Sequence, residues 1–321
     1  MGGNPRVTLA TGLALLALAA ACVTTTRLPT PPSPASSGTT SFSSPVPARY
    51  EATVIVPGAR WVEWIAAGDT QLFLALNELG ARPGNTESRV AAVPLTGGDP
   101  VALPGTDALG IGIGGIAASG DVVYFSRIGG PNLRDSGVFR YSNGALVAVA
   151  RDLRRPAGIV LDGAGDLFVA DTDSGSVRRI SGGAMTTYAG RGGCGDRNPP
   201  IAGPAIDAAL CGVQLLAMNA GGDLYVAGIG PTWIAKVDRV GRLSVFAKDF
   251  GRGSLAIDIS GALLAARGRE LVRFNAAGSP TVIADDLGLI SAISVDGDGS
   301  IYVLHSSASG ATSRVTRLRA I

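Results

Sequence analysis

From about residue 50 the chain is a succession of short apolar runs, each broken by Gly, Asp, Asn or Ser. One run recurs as QLFLA (Gln71 to Ala75), DVVYFS (Asp121 to Ser126), DLFVA (Asp166 to Ala170), DLYVA (Asp223 to Ala227), ALLAA (Ala262 to Ala266) and SIYVL (Ser300 to Leu304). A second run follows each of them: SRVAAV, GVFRYS, SVRRIS, WIAKVD, ELVRFN and SRVTRL. Apolar and polar positions alternate in this second run, the period-2 signature of a half-buried strand. Tight-turn residues between the runs predict antiparallel connections rather than crossovers.

The fullest copy, Pro156 to Gly190, holds four such runs: GIVLD, DLFVA, SVRRI and MTTYA. Six copies at about 45 residues each match the size of a four-stranded propeller blade. One blade cannot bury both faces of its sheet, so neighbouring copies must stack radially. The last copy stops after its third strand, and EATVIVPG (Glu51 to Gly58) is available to supply the fourth. The prediction is an all-β, six-bladed β-propeller over residues 50–321, closed by its N-terminal strand.

The string GIVLDGAGDLFVADTDSGSVRRI resembles an NHL repeat, with its G-I-x-x-D-x-x-G-x-[LI]-[FY]-V-A-D-T core and later R-[IV]. The stretch YAGRGGCGDRNPPIAGPAIDAALCGV resembles the long inter-blade insert of bacterial NHL proteins. The likeness is specific over Pro156 to Gly228, and the usual G-N-H-R after Asp-Thr is here Asp173-Ser174-Gly175-Ser176. Proteins of this kind commonly act as interaction platforms.

The first 49 residues have a different composition. Arg6 precedes an apolar run from about Leu9 to Ala21, and small residues lead to Cys22, as in a secretory signal. Leu18-Ala19-Ala20-Ala21-Cys22 looks like a bacterial lipobox, with Ala19 where leucine is usual. Residues 1–22 are thus expected to be a signal peptide, with Cys22 lipidated. Residues 23–49 are a Pro/Ser/Thr tract, expected to be a disordered tether. The expected location is the bacterial cell envelope, membrane-anchored through the lipid. Val23-Thr24 lack the Asp that retains lipoproteins in an inner membrane, which favours the outer membrane where there is one. Export permits a disulfide between Cys194 and Cys211.

Composition and charge narrow the chemistry. A net charge of +2 with interspersed acids and bases gives no basic stripe for nucleic acid. The single histidine, His305, excludes a zinc site of several histidines. In the family's usual blade the long loops of this chain fall on one face, called the top: residues 76–88, 127–136 and the Cys194–Cys211 insert. Loops elaborated on one face of a rigid scaffold are where binding sits. The residues just after the second strands (Leu76, Arg127, Asp171, Gly228, Arg267 and His305) are expected to ring the channel mouth there, joined by Arg155, Gln214 and Arg252. Arg127, Arg155, Arg252 and Arg267 would attract anions, unless Asp171, Asp135 and Glu63 neutralise them. The basic residues repeated in the third strands (Arg140, Arg179, Lys236, Arg273, Arg317) are expected to pair and pack between blades.

The functional expectation is a monomeric, non-catalytic binding scaffold for an envelope protein, peptide or glycan, needing no cofactor. The alternative is a lactonase-like hydrolase or lyase with Ca²⁺ at the mouth, for which Glu63, Asp171 and Asn219 are the candidate ligands.

Overall fold

A computed structural model describes residues 50–82, 85–106, 112–129, 136–193, 200–228, 233–248, 250, 253–285, 287–306 and 312–321; of the side chains of 78–87 nothing is said. Contacts divide the chain into Met1–Ser36 and Ser37–Ile321, and the described residues belong to the second unit. Residues 1–49, with the expected signal peptide, Cys22 and the expected tether, lie outside the described residues. Among the described residues no helix is long and apolar enough to cross a membrane.

Strand β1 (Tyr50–Val56) comes first and pairs last. Blade 1 follows as β2 (Val62–Ala67), β3 (Gln71–Arg82), β4 (Asn85–Pro94) and β5 (Val101–Ala102). Blade 2 is β6 (Gly112–Ser119), β7 (Val122–Ile128), β8 (Gly137–Ser142) and β9 (Ala145–Arg151). Blade 3 is β10 (Pro156–Leu161), β11 (Leu167–Asp171), β12 (Ser176–Ser181) and β13 (Ala184–Ala189). Blade 4 takes β14 (Gly203–Pro204) together with β15 (Val213–Met218), β16 (Leu224–Gly228), β17 (Trp233–Val237) and β18 (Arg242–Lys248). Blade 5 is β19 (Leu255–Ile257), β20 (Leu263–Arg267), β21 (Glu270–Phe274) and β22 (Pro280–Ala284). Blade 6 is β23 (Ile290–Val295), β24 (Ile301–Ser306) and β25 (Ser313–Ala320), completed on its outer edge by β1.

All ladders are antiparallel, and the inner strands touch in the cyclic order β2, β6, β10, β15, β19, β23 and back to β2. This is a six-bladed β-propeller. Closure follows the sequence expectation: β1 runs against β25 from Tyr50↔Ala320 to Val56↔Val315. The long insert between blades 3 and 4 does more than connect, because β14 adds a short fifth strand outside β18.

The core lies between blades rather than within one. Phe125, Phe139 and Tyr141 of blade 2 pack on Phe73, Ala75 and Val90 of blade 1, and equivalent apolar layers fill the other junctions. Polar side chains stitch five of the six junctions in specific places. Ser126 Oγ donates to the Ala157 carbonyl, Thr172 Oγ1 to the Val213 carbonyl, the Ile293 amide to Ser254 Oγ, and the Ala67 amide to Ser294 Oγ. Asn77 serves the junction of blades 1 and 2.

The opposite end of the ring repeats one device. Asp162, Asp258 and Asp296 each accept two backbone amides of their own inner hairpin, and Asn219 accepts the Asp223 amide in the same turn. An Asx side chain that satisfies its own turn explains why these residues recur there. The repeated basic residues act mainly within a blade, contrary to the expectation of pairing between blades. Arg179 pairs with Asp166, Lys236 with Asp223 and Arg273 with Asp258, while Arg317 reaches across a seam, to the Leu95 carbonyl.

The inner strands come very close between blades 3 and 4. A Cβ built on Gly158 would lie 2.4 Å from the Gln214 carbonyl oxygen. Gly158→Ala is therefore expected to destabilise the protein by about 1–3 kcal/mol through overpacking. Urea denaturation reads this, and an unchanged midpoint would refute the close approach.

Candidate functional site

The channel is bounded by all six inner strands and encloses about 280 Å³. The side chains that line it are apolar apart from the Trp64 indole and the hydroxyls of Ser254 and Ser294, which accept the inter-blade amides just described. The functional potential therefore lies at the mouth rather than along the bore.

The mouth is built by a local irregularity. The inner-strand register shifts between Val62 and Trp64, Ile113 and Gly115, Pro156 and Ile159, Val213 and Leu215, and Ile290 and Ala292. The residues at these shifts are Glu63, Gly114, Ala157 with Gly158, Gln214 and Ser291. A bulge turns a residue out of the ladder, so these positions ring the start of the channel. They supply one carboxylate, one amide and one hydroxyl.

Glu63 is the distinctive member. Its side chain is exposed, and Oε2 accepts a 2.6 Å hydrogen bond from Asn77 Nδ2. Asn77 is buried at the end of the regular part of β3, where Nδ2 also donates to the Ile113 carbonyl and Oδ1 accepts the Ile113 amide. The amide is thus fixed at both ends by the neighbouring blade, and it holds the carboxylate in one orientation. Two residues before Glu63, Trp61 is 48% exposed at φ 64°, a left-handed conformation that is unusual for a bulky side chain. The matching position of the adjacent blade 6, two residues before Ser291, is Leu289, which is 61% exposed.

The residues expected from sequence fall in several places. His305 does not reach the mouth: β24 continues through it and its exposure is 0%. Its Nδ1 lies 3.1 Å from the Ser306 carbonyl, which can only accept, so Nδ1 carries the proton and Nε2 accepts from the Thr316 hydroxyl at 2.8 Å. Burial, reinforced by the charge of Arg314, lowers its pKa to about 4, so the ring is neutral at pH 7. The residues that close the second strands stand one strand out from the channel, about 4.8 Å further from its axis. That offset is why Arg127, Asp171, Arg267 and His305 do not form the inner ring.

Asp171 is 3% exposed, and its oxygens are taken by the Arg154 and Arg155 amides and the Ser174 hydroxyl. Arg155 faces Asp173 at 4.0 Å, and Arg267 is bound by Glu270 at 2.7 Å. Gln214 stands at the mouth, and Arg252, Asp135, Cys194 and the rest of 83–84, 130–135 and 194–199 in the long loops lie outside the described residues. Asn219 is in the turn between β15 and β16, at the end of the ring opposite Glu63 and Asp171.

A calcium ion takes six to eight oxygen ligands. Of the candidate set, Asn219 is at the wrong end and the oxygens of Asp171 are already committed, which leaves Glu63. Among the described residues no group of three or more His, Cys, Asp or Glu side chains converges. The described residues do not fit such an ion.

No family model and no curated protein matches the chain. Solved structures of similar fold include a putative gluconolactonase, at 15% identity and TM-score 0.61, covering 85% of this chain and 93% of that one. A gluconolactonase from Xanthomonas campestris matches at 17% identity and TM-score 0.59, covering 85% and 92%. A calcium-binding protein, regucalcin, from Agrobacterium tumefaciens matches at 13% identity and TM-score 0.56, covering 85% and 94%. At these identities the likeness establishes the propeller fold.

Proposed function

We propose that this propeller acts on a small polar ligand at the channel mouth, as a lactonase-like hydrolase whose working group is Glu63. The observation that carries the reading is the carboxylate set at the bulge of β2 and oriented by Asn77. Supporting it are the fold relatives described as gluconolactonases and the exposed Trp61, whose flat apolar face suits a sugar-like ring. In this reading Glu63 takes a proton from water as the water oxygen attacks the lactone carbonyl. The ring C–O bond then breaks, and its oxygen leaves with a proton as the alcohol of the hydroxy acid.

The test is turnover of a panel of sugar lactones. Glu63→Gln keeps an oxygen to accept from Asn77 but removes the base, so the expected loss is about 10²–10⁴-fold. Equal turnover in both proteins, or none with any lactone, would overturn the reading.

A second reading, the binding scaffold, draws on the β3–β4 hairpin. Its ladder runs on from Asn77↔Ser88 to Arg82↔Asn85, well past the start of β2 at Val62. Such a projection from the mouth face suits a protein, peptide or glycan partner. Capture of an envelope partner by the protein, lost on shortening residues 79–86, would favour it. The finer sequence readings belong with this proposal: NHL kinship, export, lipidation of Cys22 and a Cys194–Cys211 bridge, for which the disulfide-bonded state of Cys211 speaks.

A further inference from the structure

Two cations of blade 2, Arg127 and Arg151, lie outward of the inner strand that Asn77 grips, Arg127 pairing with Ile113 itself. Arg127 is the next-to-last residue of β7 and Arg151 ends β9, and the two flank Gly137 across the sheet, through the pairs Arg127↔Gly137 and Gly137↔Arg151. Each guanidinium carbon lies 5.8 Å from the centroid of the same ring, Phe139, which is itself buried. One ring therefore holds both charges on one face of the blade, each within twice that distance of the other. Glycine between them leaves no side chain in the gap, and it is required there, because a Cβ would meet the Ala150 carbonyl oxygen at 2.3 Å.

Two cations gathered on one face of a blade raise the local positive potential and favour an anion there. Among the described residues neither makes an ion pair, and Asp152, next in the chain to Arg151, supplies none. Arg155 and Arg267, by contrast, both have carboxylate partners. The second observation is an atom: Arg127 Nε is buried and has no acceptor among the described residues. A buried donor without a partner is costly, and a charged one more so, so its presence calls for an acceptor. Guanidinium forks suit the oxygens of phosphate and carboxylate groups.

We propose that Arg127 and Arg151 form an oxyanion-binding site on the mouth face of blade 2, taking a phosphate or carboxylate group against the Phe139 ring. The Nε of Arg127 donates to one oxygen, and Arg151, on the exposed edge, closes over another.

Calorimetric titration of the full chain with inorganic phosphate and, separately, with acetate at low salt tests this. Binding of phosphate alone assigns a phosphate source, of acetate alone a carboxylate source, and of both a general oxyanion site; each supports the proposal. Arg127→Gln and Arg151→Gln should each weaken binding about tenfold, and the double variant should abolish it. Arg155→Gln, whose arginine already faces Asp173, should leave it unchanged. Arg151 is exposed, so its variant tests the site even if Arg127→Gln fails to fold. Absence of binding of either anion to the wild type, or unchanged affinity in the Arg151→Gln protein, overturns it.

Discussion

A chain that begins at Ala59, lacking β1, is expected to lose most of its stability and to self-associate. Strand β1 supplies the outer edge of blade 6 over six paired positions against β25. Its last residues, Ile55 and Val56, are buried in the layer between blades 6 and 1 with Leu72, Leu74, Tyr302 and Val315. Burial of two such side chains is worth about 1.5–3 kcal/mol each. The Ile55 carbonyl also accepts the Gly98 amide, so β1 ties the last blade to the first. Losing these together removes a large part of a net stability of about 5–15 kcal/mol. The uncovered edge of β25 would present unpaired backbone groups to a second chain. Thermal unfolding and size-exclusion chromatography read both effects. A truncated chain that stays monomeric with an unchanged melting temperature would show that the ring does not depend on this closure. Ile55→Ala gives the graded version, with an expected loss of about 2–5 kcal/mol.

Acidification from pH 7 to pH 4.5 should destabilise the fold by roughly 2–3 kcal/mol through His305 alone. The folded pKa of about 4 lies below the usual 6.5, because burial and then Arg314 oppose the charged ring. Between those values the unfolded chain binds the proton and the folded chain does not. Stability is therefore full above about pH 6.5, falls as the pH drops, and stops falling from this source below about pH 4. Asp166 and Asp258 have lowered pKa values; Asp166 is held down by Ser181 and then Arg179, and in Asp258 burial is outweighed by Ser260 and Arg273. Their contribution is lost at lower pH than that of His305. His305→Gln keeps an amide to meet Thr316, and its stability should be nearly flat between pH 7 and 4.5, whatever its absolute value. As the sequence holds one histidine, its NMR titration is unambiguous. A midpoint near 6.5 would contradict the buried, neutral ring.

The fold was legible because it is written in repeats. Runs such as DLFVA and DLYVA set the second strands, the Asx residues set the inner turns, and the incomplete last copy predicted the closing strand. The site was harder to see, since it depends on register. The bulge that brings Glu63 to the mouth arises from the pairing of β2 with β3, and a periodic pattern alone does not reveal it. The partner of Glu63 is Asn77, which sits just past the recurring QLFLA run. A polar residue there, with Ser126 and Thr172 near the same place in the next two blades, was the available signal. Arg151 was not among the candidate residues, because only the sheet brings it to the ring that Arg127 also faces. His305 is expected just past a second strand, at the mouth, because the apolar run ends at Leu304, yet pairing with Arg314 carries the strand through it.

In the proposed lactonase reading a single oriented carboxylate at the mouth, and not a cage of metal ligands, does the chemistry. Lactone turnover by the intact protein, before and after exhaustive chelation of divalent cations, tests it most directly. The account predicts turnover that survives chelation and is lost in Glu63→Gln. Turnover that vanishes on chelation and returns with added calcium would contradict it.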